Sequence, residues 1–180
     1  MRYHNITTDD MLNGSGLRVV LWLSGCEHKC KNCHNPETWD LSSGIAFDND
    51  AKLEIFNELN KDYISGITFS GGDPFHKKNR REVLRLIDEI YKEFSKDIWL
   101  YTGYEWEDIL SWRNEDYFMS IMKIDKLVTG KYEESLNKVN LVRLSKKDSN
   151  LEYVGSSNQE IFSPFLRARS EGIVECFINC

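Results

Sequence analysis

The chain has 180 residues, of which 41% are hydrophobic and 29% charged, and its formal net charge is −6. This length favours a single globular domain, and the acidic balance argues against nucleic-acid binding. Every apolar run falls short of the ~20 residues that a membrane span needs, and the first residues lack the apolar segment of a secretion signal. We therefore expect a cytoplasmic protein that binds neither membrane nor nucleic acid.

The first predicted strand is the most distinctive element of the chain. Residues 1–16 are polar and end in the turn-forming residues Asn13-Gly14-Ser15-Gly16. Leu17–Leu23 then forms an almost unbroken apolar run, which is typical of a strand covered on both faces in a parallel sheet. Further strands are predicted at 64–69, 98–101, 124–129 and 151–154, and helices at 51–59, 80–94, 105–112 and 117–122. Asn79, with Glu82 three residues later, predicts a capping box at the start of the second helix.

The alternation of strands and helices predicts an α/β fold with a mostly parallel sheet. Three unusual loops follow the ends of the first three strands: the cysteine-rich segment 24–35, the SGGDP segment 70–74 and the TGY segment 102–104. Because parallel strands place their carboxyl ends at one edge of a sheet, we expect these loops to meet in space.

Three of the five cysteines follow the first strand in the spacing C-x3-C-x2-C, as Cys26, Cys30 and Cys33. Iron–sulfur clusters are normally held by four cysteine thiolates. Three thiolates would leave one iron of a [4Fe–4S] cluster open to a small molecule.

Two other interpretations of the cysteines remain open at this point. A structural zinc site would need a fourth ligand. The available candidates are His28, His34, Cys176 and Cys180. Disulfides are disfavoured because the number of cysteines is odd and no secretion signal precedes them.

The SGGDP segment also has two interpretations. Glycine, aspartate and proline are ordinary turn residues, so the segment could simply end a strand. Alternatively, Gly71 and Gly72 would let the backbone approach a ligand closely.

The C-x3-C-x2-C spacing after a strand resembles the cluster motif of the radical S-adenosylmethionine enzymes. Further segments occur in the same order in the family that activates anaerobic ribonucleoside-triphosphate reductase, a group of glycyl-radical activating enzymes. The resemblance covers about residues 1–160 and comprises NGSGLR, SGC…CHNPETW, FSGGDP, WLYTGY, LVTGKY and GSSNQ. One departure is Asn32, where many superfamily members carry an aromatic residue just before the third cysteine.

The resemblance implies a partial, open (β/α) barrel in residues 1–160, with residues 161–180 as an extension packed on that domain. It also implies two cofactors, one [4Fe–4S] cluster per chain and S-adenosylmethionine. The cluster ligands would be Cys26, Cys30 and Cys33. The expected contacts to S-adenosylmethionine are Asn32, Cys33, His34, Gly71, Gly72 and Asp73.

The activity implied by the resemblance is reductive cleavage of S-adenosylmethionine, followed by hydrogen abstraction from a glycine of the reductase large subunit. A low-potential electron donor such as flavodoxin would be needed, but no acid–base pair. Alternative functions are activation of another glycyl-radical enzyme, such as pyruvate formate-lyase, and a non-catalytic zinc-binding interaction module. A protein substrate would need a docking surface near the cysteines, for which Trp39, Tyr104 and Trp106 are candidates.

Overall fold

The computed structural model describes residues 1–136 and 154–173, which form an α/β fold around one seven-stranded open sheet. The strands are β1 (Arg2–Asp10), β2 (Leu17–Leu23), β3 (Ile45–Ala46), β4 (Ile64–Gly71), β5 (Asp97–Tyr101), β6 (Lys126–Thr129) and β7 (Glu160–Phe162). The α-helices are α1 (Asn49–Leu59), α2 (Arg80–Glu93), α3 (Trp106–Ser111), α4 (Glu115–Ile121) and α5 (Pro164–Ser170). Short 3₁₀ turns lie at Pro36–Thr38 and Glu134–Leu136.

The centre of the sheet is parallel and its flanks are antiparallel. The strand order is β3-β1-β2-β4-β5-β6-β7, in which β2, β4, β5 and β6 pair in parallel. The strands β1, β3 and β7 add antiparallel pairs outside that centre. The registers place Leu23 opposite Gly71 and Tyr101 opposite Val128, so the parallel strands end at a common edge. The expected α/β class and open sheet are therefore present.

Burial of apolar side chains on both faces explains why the central strands could be predicted. In β2, Val19, Val20, Leu21 and Leu23 are fully buried. Helix α2 adds a buried stripe that includes Val83, Leu84, Ile87 and Ile90. The four predicted strands within residues 17–129 and the four predicted helices are confirmed, with ends shifted by up to two residues. The strand predicted at 151–154 lies almost wholly outside the described residues.

Strands β1, β3 and β7 and helix α5 were not predicted. In β1, only Tyr3 and Ile6 are buried, because this strand pairs with β2 near one flank of the sheet and leaves its other residues partly or fully exposed. Such a strand carries no continuous apolar run, and its buried residues are three positions apart. Its sequence therefore lacks the period-2 signal on which strand prediction depends.

The predicted capping box is wrong. Asn79 has helical backbone angles and its side chain makes no capping hydrogen bond. Instead, its Nδ2 donates to the carbonyl of Ser24 over 2.7 Å and to that of Asp73 over 3.3 Å. Glu82 pairs with the amino group of Met1. Asn79 thereby ties the start of α2 to the residue after β2, and Glu82 ties it to the N-terminus.

Within residues 1–136 and 154–173, no helix combines the length and the apolar character that crossing a membrane requires.

Candidate metal and cofactor site

The three unusual loops meet, as predicted, at the carboxyl edge of the parallel strands. Together they line a cavity of about 290 Å³. The lining from these loops includes Cys26, Cys30, Cys33, His34, Gly71, Gly72, Asp73, Thr102 and Gly103. The far wall comes from the segments after β6 and before β7 and includes Tyr132, Val154 and Gln159.

The cysteine-rich segment 24–35, called the cysteine loop below, is a turn held in shape by its backbone conformation and backbone hydrogen bonds. Lys29 and Asn32 adopt left-handed φ angles of 49° and 55°, and the N–H of Cys33 donates to the carbonyl of Cys30 over 3.2 Å. The N–H of Cys26 donates to the carbonyl of Trp39 over 3.1 Å, which anchors the first cysteine. All three cysteines of this loop line the cavity.

The three thiols are free and half-buried. Burial raises the pKa of the Cys26 thiol to about 11. Since metal ligands must be deprotonated, binding of a cationic group here would release a proton from Cys26.

The donor set fits an iron–sulfur cluster better than a single metal ion. Thiolates are the usual ligands of such clusters, which distribute them over separate iron atoms. A structural zinc ion instead needs four ligands in a compact tetrahedron.

The histidines considered as zinc ligands lie in two different environments. His28 is almost buried and its Nε2 lies 2.7 Å from Oδ2 of Asp73. His34 lines the cavity and its ring packs against that of Tyr132, with centroids 4.7 Å apart. Cys176 and Cys180 lie outside the described residues.

The residue before the third cysteine, Asn32, is exposed and its Nδ2 donates to Oε1 of Glu134 over 2.5 Å.

The SGGDP segment 70–74, called the glycine loop below, is hydrogen-bonded directly to the end of β2 and to the cysteine loop. The N–H of Gly72 donates to the carbonyl of Leu23 over 2.7 Å, and the N–H of Asp73 donates to that of Gly25 over 2.8 Å. A Cβ atom on Gly72 would lie 2.7 Å from the Gly25 carbonyl oxygen. Only glycine permits this approach, which explains one residue of the SGGDP segment.

Asp73 is 2% exposed, and its carboxylate is surrounded by donors. It accepts hydrogen bonds from His28 Nε2, from the Thr102 hydroxyl over 2.9 Å, from the Gly103 N–H over 3.0 Å and from the Phe75 N–H over 2.8 Å. These donors come from the cysteine loop, the loop after β5 and the chain just beyond Asp73 itself. The aspartate therefore joins the loops that follow β2, β4 and β5.

A second polar link joins the cysteine loop to the loop after β5. The hydroxyl of Tyr104 donates to the carboxylate of Glu27. This bond lowers the pKa of Glu27, and burial, followed by the same bond, raises the pKa of Tyr104. The ring of Tyr104 also meets that of His28 edge-on, with centroids 4.8 Å apart.

Sequence reasoning missed several of these polar contacts. The roles of Glu27 and Thr102 are visible only in three dimensions, although the TGY segment already marked the second loop. Gln159 is another case, because its Oε1 accepts from the Gly155 N–H over 2.8 Å while its Nε2 donates to the Gly130 carbonyl over 2.8 Å. The signal for this residue was the GSSNQ segment.

One of the three candidate docking residues is wrong. Trp106 is 2% exposed, and its Nε1 donates to Glu171 over 3.0 Å. It packs inside the protein because it begins α3 and faces the core. Trp39 and Tyr104 are partly exposed.

Comparison with known proteins agrees with the chemistry of this site. A family model described as a 4Fe-4S single cluster domain matches residues 12–162. The anaerobic ribonucleoside-triphosphate reductase-activating protein of Enterobacteria phage T4 is 38% identical over 164 residues, which cover 91% of this chain and 94% of that protein. The proteins of the same name from Escherichia coli K12 and Haemophilus influenzae are 37% and 34% identical, each covering 89% of this chain and 97% of the relative. The chain therefore belongs to the family of anaerobic ribonucleoside-triphosphate reductase-activating proteins.

Proposed function

We propose that this protein is a radical S-adenosylmethionine enzyme that activates anaerobic ribonucleoside-triphosphate reductase by generating a glycyl radical on it. The observation that carries the proposal is the cavity that three free thiols share with a glycine-rich loop. The family match to a 4Fe-4S cluster domain and the names of the relatives support it. Both favour this function over a zinc-binding module or another activase.

In this proposal, Cys26, Cys30 and Cys33 would hold a [4Fe–4S] cluster, and S-adenosylmethionine would bind beside it. The bound cluster would supply the electron for reductive cleavage of S-adenosylmethionine, the chemistry needed to take hydrogen from a glycine Cα. The protein provides binding, orientation and exclusion of water. No side chain needs to act as a general acid or base.

The glycine loop presents hydrogen-bond acceptors to the amino group of a bound amino acid. Because the N–H groups of Gly72 and Asp73 already donate to Leu23 and Gly25, the loop offers an ammonium group its carbonyl oxygens. Gly71 and Gly72 line the cavity, so these oxygens are proposed to bind the amino group of S-adenosylmethionine.

The cysteine loop supplies the other proposed cofactor contacts. Cys33 and His34 line the cavity and would contact S-adenosylmethionine there. Asn32 is bonded to Glu134, so its proposed contact is through its backbone, whose left-handed conformation turns the chain at this point. These assignments follow the matching positions of the family motif.

The rim of the cavity suits a protein substrate. Leu12 lines the cavity and is 82% exposed, and the adjacent Met11 is 70% exposed. Apolar side chains this exposed, next to a reactive cavity, are typical of a contact surface. We assign them to docking of the reductase.

Three further parts of the proposal come from the family resemblance. Residues 1–160 form the catalytic domain and residues 161–180 an extension packed on it; the hydrogen bond from Trp106 to Glu171 and the ion pair between Glu160 and Arg167 support that packing for the described residues 161–173. The electron comes from a low-potential donor such as flavodoxin. The protein works in the cytoplasm.

The proposal is tested by anaerobic incubation with dithionite and S-adenosylmethionine, with and without the reductase large subunit. We expect about four irons per chain, 5′-deoxyadenosine as product, and a glycine-centred electron paramagnetic resonance signal only when the reductase is present. The variant Cys30→Ser should lose iron and cleavage together. A colourless zinc protein would refute the enzyme, and a radical formed on pyruvate formate-lyase but not on the reductase would refute the partner.

A further inference from the structure

We propose that Asp73 and His28 are positioning residues: the Asp73 carboxylate holds the cysteine loop in place through the His28 ring, instead of contacting the cofactor. This inference rests on the proposed function, because the loop it positions is the one that would carry the cluster. It assigns a role to an aspartate that the family resemblance alone would place among the cofactor contacts.

The first argument is that the carboxylate has no acceptor capacity left for a ligand. A carboxylate offers about four lone-pair sites. Those of Asp73 are directed to His28, Thr102, Gly103 and Phe75, at 2.7–3.0 Å. With 2% of the residue exposed, an incoming ammonium group would have to displace one of these donors.

The second argument is the position of His28 in the cysteine loop. It lies between Cys26 and Cys30, so moving its ring moves the peptide that joins two proposed cluster ligands. The ring occupies a fitted slot, since a Cβ atom on Gly103 would lie 2.4 Å from its Cδ2. Tyr104 closes the slot from the side, with its ring edge-on to the imidazole.

The third argument is that further hydrogen bonds around His28 fix the cysteine loop in place. The Tyr104 hydroxyl binds Glu27, and the Asp73 N–H binds the Gly25 carbonyl. Asp73 therefore makes hydrogen bonds to the cysteine loop on both sides of Cys26, to Gly25 through its main chain and to His28 through its side chain. Groups that orient metal ligands in this way commonly change metal affinity or activity by 10–100-fold when removed.

The test compares two substitutions of His28 that differ in one hydrogen-bond donor. His28→Phe keeps a ring in the slot but cannot donate to Asp73, whereas His28→Gln carries an amide N–H that can reach the same carboxylate. Ser120→Ala serves as a control, because it removes a buried hydroxyl of α4 that donates to Asp88 of α2, and neither residue lines the cavity. Iron content, the melting temperature, and KM and kcat for cleavage of S-adenosylmethionine with dithionite, without reductase, are measured for each.

We expect His28→Phe to raise KM for S-adenosylmethionine about 10-fold or to lose a comparable part of kcat. His28→Gln should stay within about threefold of the unsubstituted protein, and Ser120→Ala should lower the melting temperature without changing KM. If His28→Phe does not fold, Asp73→Asn replaces it with the same expectation. The inference is overturned if the Phe and Gln variants have equal kinetics, or if KM and kcat of His28→Phe stay within twofold. Failure of the unsubstituted protein to cleave S-adenosylmethionine would instead refute the proposed function.

Discussion

The backbone N–H of Asp73 donates a hydrogen bond of 2.8 Å to the carbonyl of Gly25, the residue immediately before Cys26. Two residues that are 48 positions apart in sequence thereby join two loops that both line the cavity. The contact depends on the absence of a side chain at Gly72, since an added Cβ would lie 2.7 Å from the same carbonyl oxygen.

We therefore predict that Gly72→Ala separates the glycine loop from the cysteine loop. The expected result is a loss of at least about tenfold in S-adenosylmethionine cleavage, a size typical of displaced groups around a metal site. Gly172→Ala is the control for backbone strain alone: its φ of 72° disfavours alanine, but its added Cβ meets no atom within 4 Å and it lies just beyond α5, outside the cavity lining, so cleavage should not change. Equal cleavage rates for the two variants would show that the close contact is not needed.

The stability contributed by Glu171, which follows α5 and bonds Trp106 of α3, should depend on pH. Hydrogen bonds from Trp106 and then from Arg167 lower the pKa of the Glu171 carboxyl. A carboxyl with a lowered pKa in the folded state stabilises the protein above its unfolded pKa of about 4.3, and this contribution is lost as pH falls through the folded value. Because Glu171 is partly exposed, the contribution should stay below about 1 kcal/mol.

The corresponding experiment compares the free energy of unfolding of Glu171→Gln with that of the unsubstituted protein between pH 7 and pH 3. Gln keeps an acceptor for Trp106 but loses the charge that faces Arg167. We expect the variant to be less stable at pH 7 and equally stable near pH 3. A difference that persists unchanged at pH 3 would mean that the charge is not responsible.

The ion pair between Arg18 and Asp97, at the amino ends of β2 and β5, should contribute more to the free energy of unfolding. Arg18 is fully buried and its guanidinium lies 2.6 Å from the carboxylate of Asp97. Burial lowers the pKa of Arg18, and the nearby Asp97 charge opposes that shift. Removing one partner of such a pair leaves an uncompensated charge, at a cost of about 2 kcal/mol or more.

We accordingly predict that Asp97→Asn lowers the free energy of unfolding by about 2 kcal/mol, since water reaches part of this carboxylate and Asn can still accept one hydrogen bond. Urea denaturation monitored by circular dichroism measures the change. Asp62→Asn, at an exposed position, is the control and should differ from the unsubstituted protein by less than about 0.5 kcal/mol. Equal losses in the two variants would contradict a special role for the pair.

The parts of the fold that follow from local sequence could be predicted. The run Leu17–Leu23 is apolar except for Arg18 because the strand is covered on both faces, and α2 shows its buried stripe at helical spacing. The meeting of the three loops followed from the parallel order of their strands. The polar strand β1 could not be predicted, because its pairing with β2 depends on the hydrogen bonding of its backbone and not on an apolar pattern.

The contacts within the site were less accessible to sequence reasoning. His28 and Asp73 are 45 residues apart, and either one alone reads as an ordinary polar loop residue. Asn79 shows the converse, because the local capping pattern was present but the Ser24 carbonyl offered its side chain a buried partner instead. Tertiary partners decide which of several possible hydrogen bonds a polar side chain makes.

The last prediction concerns the apolar rim at Met11, whose side chain is 70% exposed beside the cavity mouth. If the reductase docks there, Met11→Asp would place a charge in an interface that excludes water, so activation should slow by about tenfold or more. Cleavage of S-adenosylmethionine without the reductase should change by less than twofold, because Met11 does not line the cavity. The rate of glycyl-radical formation is followed by electron paramagnetic resonance. Leu53→Asp on the outer face of α1, at 58% exposure, tests whether any added surface charge has the same effect. Equal slowing by both variants would place the docking surface elsewhere, whereas slowing by Met11→Asp alone would locate the reductase at the mouth of the cavity.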